Sequence, residues 1–164
     1  MKSWFVFYTY PKAEKFVCKQ LVDDDFEVYL PLQEQISQWR DRKKKLQTPL
    51  FPNYIFVKAD QARIYEVLKF PRIIRCLKFN NKHSQLREDE IELIKKIENN
   101  YTNIILSDKL ARGEKVTIRG GPLNGLKGIV EQSKNDCKII INIDSISYSL
   151  KVSLSPNEIE YATV

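Results

Sequence analysis

Apolar and polar positions along the chain change period repeatedly, and each change marks an element. Residues 4–9, Trp-Phe-Val-Phe-Tyr-Thr, are aromatic and β-branched throughout, which predicts a strand. Ala13, Phe16, Val17 and Leu21 then recur at helical spacing behind Pro11, whose missing N–H costs nothing in a first helical turn. Residues 11–22 are therefore expected to form an amphipathic helix, ended by Asp23, Asp24 and Asp25. Phe26, Val28 and Leu30 alternate with Glu27 and Tyr29 as a second strand, and extended character continues past Pro31 through residues 35–39. After a charged tip, a returning strand leads into residues 48–58, Thr-Pro-Leu-Phe-Pro-Asn-Tyr-Ile-Phe-Val-Lys.

The rest of the chain is organised around that run. Pro49 and Pro52 each fix their own φ and push the preceding residue towards extended geometry, so Leu50 and Phe51 sit on a stiff, non-helical connector. Beyond it, Tyr54, Phe56 and Lys58 are expected on one strand face, with Ile55 and Val57 on the other. A strand apolar on both faces is either an ordinary buried strand or one that covers a core and offers aromatics to a partner.

Further on, Ile64, Val67 and Leu68 share one helical face within residues 61–69, which Phe70 and Pro71 stop. Residues 72–79 read as a strand, followed by a polar turn containing His83. Residues 87–98 start acidic and carry Lys95 and Lys96 near the end, as the helix dipole prefers, with Ile91, Ile94 and Ile97 as the buried stripe. Helices laid on a mainly antiparallel sheet, an α+β sandwich, would bury these stripes. Residues 99–111 lack a clear period and read as a linker. All five glycines lie between Gly113 and Gly128, and strands are expected at 115–119, 127–133, 137–143, 146–152 and 158–161, with Asn135 and Asp136 at a turn. Close, regular strands of this kind predict a small β-barrel. The expected domains are thus 1–100, a linker at 101–110, and 111–164.

Composition narrows the function classes. The chain has 164 residues, enough for one or two small domains, and 43% apolar content is ordinary for a globular protein. No apolar run approaches the ~18 residues that span a bilayer, and the short aromatic N-terminal run suits no signal peptide, so a cytoplasmic protein is expected; it is also expected to be a monomer. Cys18, Cys76 and Cys137 are odd in number and far apart, which suggests neither a disulfide framework nor a metal site. With His83 the single histidine, no nucleophilic triad can be assembled, and no glycine fingerprint opens a helix. Neither an enzyme nor a cofactor is expected.

Charge then picks out one segment. The net charge is +6, of which residues 1–100 contribute +5. Arg40, Arg42, Lys43, Lys44 and Lys45 surround one acid, Asp41, at the tip of the expected hairpin arm, with Trp39 beside them. The tip is either simply solvated or a phosphate contact with Trp39 as a stacking surface.

Residues 113–130, Gly-Glu-Lys-Val-Thr-Ile-Arg-Gly-Gly-Pro-Leu-Asn-Gly-Leu-Lys-Gly-Ile-Val, resemble the KOW motif. Gly121 and Gly125 permit positive φ there, and Gly128 permits close backbone approach. The opening Trp4-Phe5-Val6 with Tyr8-Thr9-Tyr10, the helix with Glu14 and Lys15, Tyr29-Leu30-Pro31, residues 49–57, and Leu86 before an acidic helix start resemble the NusG N-terminal (NGN) domain. The resemblance to the NusG family covers nearly the whole chain, in the right order. It implies an NGN sandwich followed by an SH3-like KOW barrel. It also implies a transcription elongation or antitermination factor that binds the clamp helices of the largest RNA polymerase subunit. Tyr8, Leu50, Phe51, Pro52, Tyr54 and Phe56 are then the polymerase-binding residues. Trp39, Arg40, Arg42, Lys43, Lys44 and Lys45 are the contacts to upstream or non-template DNA.

In general NusG proteins an apolar KOW loop meets Rho or a small-subunit ribosomal protein. The matching turn here is residues 143–147, where Ile143 and Ile146 are the partner candidates. Asp144 stands where an apolar residue is expected, which argues against Rho. That departure and the short chain favour a specialised, operon-directed paralog (RfaH-like or UpxY-like) that serves polysaccharide operons. The alternatives are a general NusG and a KOW-containing, ribosome-associated RNA-binding protein. The near-neutral balance of residues 101–164, +1, argues against the latter.

Overall fold

A computed structural model describes residues 1–108, 113–133 and 136–161. In chain order the elements are β1 (Ser3–Thr9), α1 (Glu14–Asp23), β2 (Glu27–Tyr29), β3 (Leu32–Trp39), β4 (Arg42–Pro49), β5 (Tyr54–Ala59), α2 (Ile64–Leu68), β6 (Ile73–Cys76), β7 (Lys78–Phe79), β8 (Lys82–His83), β9 (Gln85–Leu86) and α3 (Glu88–Asn100). β10 (Ile105–Asp108), β11 (Glu114–Ile118), β12 (Lys127–Ser133), β13 (Asp136–Ile143), β14 (Tyr148–Ser153) and β15 (Ile159–Tyr161) complete the chain. They fall into two compact units, Met1–Leu32 with Thr48–Ile91, and Gln33–Gln47 with Glu92–Val164.

The first unit is built on an antiparallel sheet in the order β2-β5-β1-β6, with β9 also paired to β1. Strand alternation sorts its side chains. Phe5 and Phe7 of β1 and Ile55, Val57 and Ala59 of β5 join Ala13, Val17 and Leu21 of the α1 region and Ile64 and Val67 of α2 in one buried cluster. The expected helical stripes and the expected split of β5 are therefore both realised. Two local readings differ. The chain turns through Pro11 and Lys12, which has φ 61°, and α1 starts at Glu14, so Pro11 precedes the helix rather than opening it. Phe16 is exposed rather than part of the stripe, and it carries the Arg72 guanidinium 4.3 Å above its ring. One helical stripe has room for Ala13, Val17 and Leu21, and Phe16 lies off its edge.

The single strand expected at residues 72–79 is broken. β6 ends at Cys76, and β7 folds back on β8 through Asn80 and Asn81, both left-handed at φ 50° and 61°. That is the geometry of a two-residue hairpin, which asparagine tolerates better than most residues. His83 is consequently a strand residue packed edge-on to Phe5 at 6.3 Å, not a solvated loop side chain.

In the second unit β3 and β4 pair as a two-stranded ribbon, and an antiparallel six-stranded sheet runs β10-β14-β13-β12-β11-β15. Val116, Ile118, Ile139, Ile141, Leu150 and Val152 are all buried in it. The strands stand within a few residues of their expected positions, because alternation and glycine placement both mark them. A side chain at Gly128 would collide with Ile139 Cγ2, so the close approach expected of this glycine is present. Gly125, with φ 86°, turns the chain into β12. Residues 105–108, expected within a linker, form β10 along β14. Ile146, expected in a strand, belongs to a short 3-10 turn, and β14 starts at Tyr148. The expected turn position Asn135 lies outside the described residues.

Candidate interaction site

The second face of the five-stranded sheet is aromatic. Trp4, Val6 and Tyr8 alternate with the core-facing residues of β1, and they stand opposite Lys58, Phe56 and Tyr54 respectively on β5. Tyr29 of β2 pairs with Phe56 from the other side. The rings make contact in two groups. Tyr29 stacks on Phe56 at 6.1 Å, Phe51 meets Phe56 edge-on at 5.6 Å, and Tyr8 meets Tyr54 edge-on at 5.4 Å. Such offset and edge-on geometries match the ring quadrupoles and add to the burial energy. Arg75 places its guanidinium 5.4 Å from the Tyr8 ring.

The connector ahead of β5 is pinned at several points. Leu50 N–H donates to Pro31 C=O at 2.8 Å, Thr9 N–H to Asn53 C=O at 2.8 Å, and Tyr54 N–H to Phe51 C=O at 3.1 Å. Asn53 is left-handed, with φ 70°, and its N–H donates to the carboxylate of Glu14 at 2.9 Å. Glu14 is itself only 4% exposed. Sequence reading noted it within the helix but gave it no role at the connector. An acid in a first helical turn ordinarily serves the helix dipole, whereas this one also ties the helix to the connector.

Among the sequence-predicted residues, Leu50, Phe51 and Phe56 lie beneath the surface at 0–1% exposure, while Tyr8 and Tyr54 are half-buried and Pro52 is exposed. The accessible part is thus a Tyr8–Tyr54–Pro52 edge resting on a Leu50–Phe51–Phe56 support. At the far end of the face, the Trp4 indole N–H donates to Glu88 at 3.3 Å, and the Lys58 ammonium lies 2.6 Å from the same carboxylate. That hydrogen bond with Glu88 raises the Lys58 pKa. Lys58 also sits 5.6 Å above the Trp4 ring.

The ribbon of β3 and β4 turns at Arg40 and Asp41, so Arg42 to Lys45 run along a strand rather than around a tip. Lys44 stands 5.5 Å over the Trp39 ring, and alternation puts Arg42 on the same side. Lys45 instead pairs with Glu34 at 3.3 Å. Trp39 is 58% exposed, an unusual state for an indole without a covering partner. The ribbon therefore presents a cationic, stackable surface. The other predicted pair, Ile143 and Ile146, is buried at 0% and 6%, and the exposed side chains of that turn are Asp144 and Ser147.

Among the described residues no group of His, Cys, Asp and Glu is placed to hold a metal, and burial pushes the Cys76 thiol up to about 12. No helix among them is long and apolar enough to cross a membrane.

Residues 2–95 match the profile of the family described as "NusG: Transcription termination factor nusG". The chain belongs to the NusG family. Over its full length it is similar to the transcription termination/antitermination proteins NusG of Helicobacter pylori. Identity is 24% for strain J99 and 23% for strain 26695, with 98% of each chain covered. Its fold is similar to a solved structure titled "Domain interaction in Thermotoga maritima NusG", with a TM-score of 0.63, 18% identity, and coverage of 99% and 98% of the two chains. The molecule is therefore a NusG-family termination/antitermination factor, and proteins of this family are transcription factors rather than catalysts.

Proposed function

We propose that this NusG-family protein acts in the cytoplasm as an elongation and antitermination factor that binds RNA polymerase at the clamp helices of its largest subunit. Residues 1–100 act as the NGN domain and 111–164 as the KOW domain. The observation that carries the reading is the aromatic sheet face with its pinned connector. Tyr8, Pro52 and Tyr54 meet the helices, and Leu50, Phe51 and Phe56 hold that edge rigid from below. Aromatic anchors on a pre-organised support are what protein interfaces favour. The ribbon carrying Trp39, Arg40 and Arg42 to Lys45 contacts upstream or non-template DNA, with phosphates on the cations and a base on the indole. The KOW domain meets a small-subunit ribosomal protein, and the acid at Asp144 disfavours Rho.

The protein serves specific operons, on the strength of Asp144. One observation favours a second reading, a general NusG. The likeness to the Helicobacter pylori NusG proteins runs the full length of both chains. Capture of purified elongation complexes by wild-type protein and by Tyr54→Ala, paired with genome-wide readthrough mapping in a deletion strain, tests both. Capture lost in the variant, with readthrough falling at one or a few operons, supports the specialised factor. The same loss with a genome-wide change supports the general one. Equal capture by a folded variant overturns the proposed surface.

A further inference from the structure

The hairpin of β7 and β8 carries side chains that the polymerase reading leaves unused. Its turn is left-handed at both Asn80 and Asn81, which fixes the register with Lys78 opposite His83 and Phe79 opposite Lys82. Two hydrogen bonds fasten its base. Leu77 N–H donates to Val6 C=O at 2.7 Å, and Ser84 N–H donates to Leu77 C=O at 2.9 Å. His83 packs edge-on to Phe5, and alternation turns Phe79 and Lys82 to the opposite side of the hairpin. Phe79 is 67% exposed, and Lys78, Asn80, Asn81 and Lys82 are exposed around it. The charge of this stretch is one-sided. Between Glu66 and Glu88 the chain has six cations and no acid, as much charge as the +6 of the whole protein. Arg72 and Arg75 lie over Phe16 and Tyr8, and Arg87 is paired with Asp89 and Glu90. Lys78 and Lys82 make no ion pair among the described residues, so the hairpin presents two uncommitted ammonium groups beside an open ring.

We propose that this hairpin binds single-stranded RNA. One base stacks on Phe79, and the phosphates on either side of it reach Lys78 and Lys82. A ring flanked by cations holds a single strand in this way, because every base offers a flat face and every linkage a charge. The turn is already set and its base already fastened, so little ordering is needed on binding. A duplex suits the hairpin less, since its bases are stacked on one another. An acidic peptide would satisfy the lysines and leave the Phe79 ring without a flat partner. The Asn80 and Asn81 amides each donate and accept, and they sit beside Phe79 where a 2′-hydroxyl can be met, which favours ribose over deoxyribose. The site is separate from the Trp39 ribbon and does not rest on the polymerase reading.

The test uses the full chain, ¹⁵N-labelled and carrying Trp39→Ala so that the ribbon offers no ring. It is titrated with oligouridylate, with oligothymidylate of the same length, and with a capped oligoglutamate peptide. The expected result is saturable amide shifts at residues 77–84 with oligouridylate, and binding about fivefold weaker at the same amides with oligothymidylate. Phe79→Leu should weaken oligouridylate binding about tenfold, whereas Phe79→Tyr should retain it. Both changes are at an exposed position and should keep the amide dispersion. Lys78→Gln/Lys82→Gln should lower the salt slope by about one unit. Absence of shifts in the hairpin, unchanged binding by the folded Phe79→Leu variant, or equal shifts from oligothymidylate or from the peptide would overturn the proposal.

Discussion

The two faces of the five-stranded sheet are made by the same strands and have opposite characters. Phe5, Phe7, Ile55 and Val57 look into the cluster closed by α1 and α2, with no polar atom of their own to satisfy. Trp4, Tyr8, Tyr54 and Lys58 look the other way, and each keeps a polar handle: an indole N–H, two phenols and an ammonium. Large apolar area combined with a polar tip is the composition of a surface that meets a partner, whereas a purely apolar face completes a core. The contrast teaches that β1 and β5 are shared property. One set of alternating side chains fills the core, and on the other face, where Trp4, Val6 and Phe56 are also buried, Tyr8 and Tyr54 form the accessible part proposed for recognition.

Substitutions on the two faces should separate these roles. Phe7→Ala, at 0% exposure within the cluster, is expected to lower unfolding free energy by about 3–5 kcal/mol in urea titrations. Tyr54→Ala should instead weaken polymerase binding by about 2 kcal/mol while costing less than about 1.5 kcal/mol of stability. The division would collapse if both variants showed the same pattern. Glu14→Gln should behave like Tyr54→Ala rather than Phe7→Ala, because it weakens the charge-assisted bond to Asn53 N–H without emptying the core. Its expected stability loss is about 1 kcal/mol, with a larger relative loss in polymerase capture.

Neutralising Arg40, Arg42, Lys43, Lys44 and Lys45 leaves both faces intact. It should reduce the salt slope of association with elongation complexes by about one unit or more. An unchanged slope would mean that the ribbon is only solvated. The smallest effect concerns His83, packed on Phe5 of the core-facing set. Burial, followed by the nearby Lys78 charge, lowers its pKa below the ordinary 6.5. The unfolded chain then binds the proton more readily, so stability should fall as pH drops below 6.5. His83→Gln should flatten the change in urea midpoint between pH 7 and 5, and an equal pH dependence in the variant would place its source elsewhere.

Much of this was legible in the residues, for reasons that can be named. The split of β5 follows from alternation alone, and the strands of the second sheet follow from alternation and glycine placement. Ile91, Ile94 and Ile97 are buried as helical spacing requires. What escaped depends on partners distant in the chain. Phe16 reads as core by spacing and is drawn out by the width of the stripe and the Arg72 contact. β10 has no period of its own and is a strand because β14 offers it a ladder. Tyr8, Leu50, Phe51, Pro52, Tyr54 and Phe56 could be singled out as a group, but their division into a buried support and an accessible edge depends on how the connector is pinned to Pro31 and Thr9. Glu14 carries no local sign of its bond to Asn53.

The ribbon of β3 and β4 is inserted between β2 and β5, which pair directly with each other. Its base is clasped by Leu50 N–H on Pro31 C=O. A segment whose two ends are already held together can change length cheaply, since doubling a loop costs only about 0.6 kcal/mol. Insertions and deletions in matched pairs would preserve the ribbon's register and leave the pairing of β2 with β5 untouched. The arm is thus the natural place for drift during evolution and for grafting in the laboratory: its reach and charge can be rewritten while the rest of the protein stays the same.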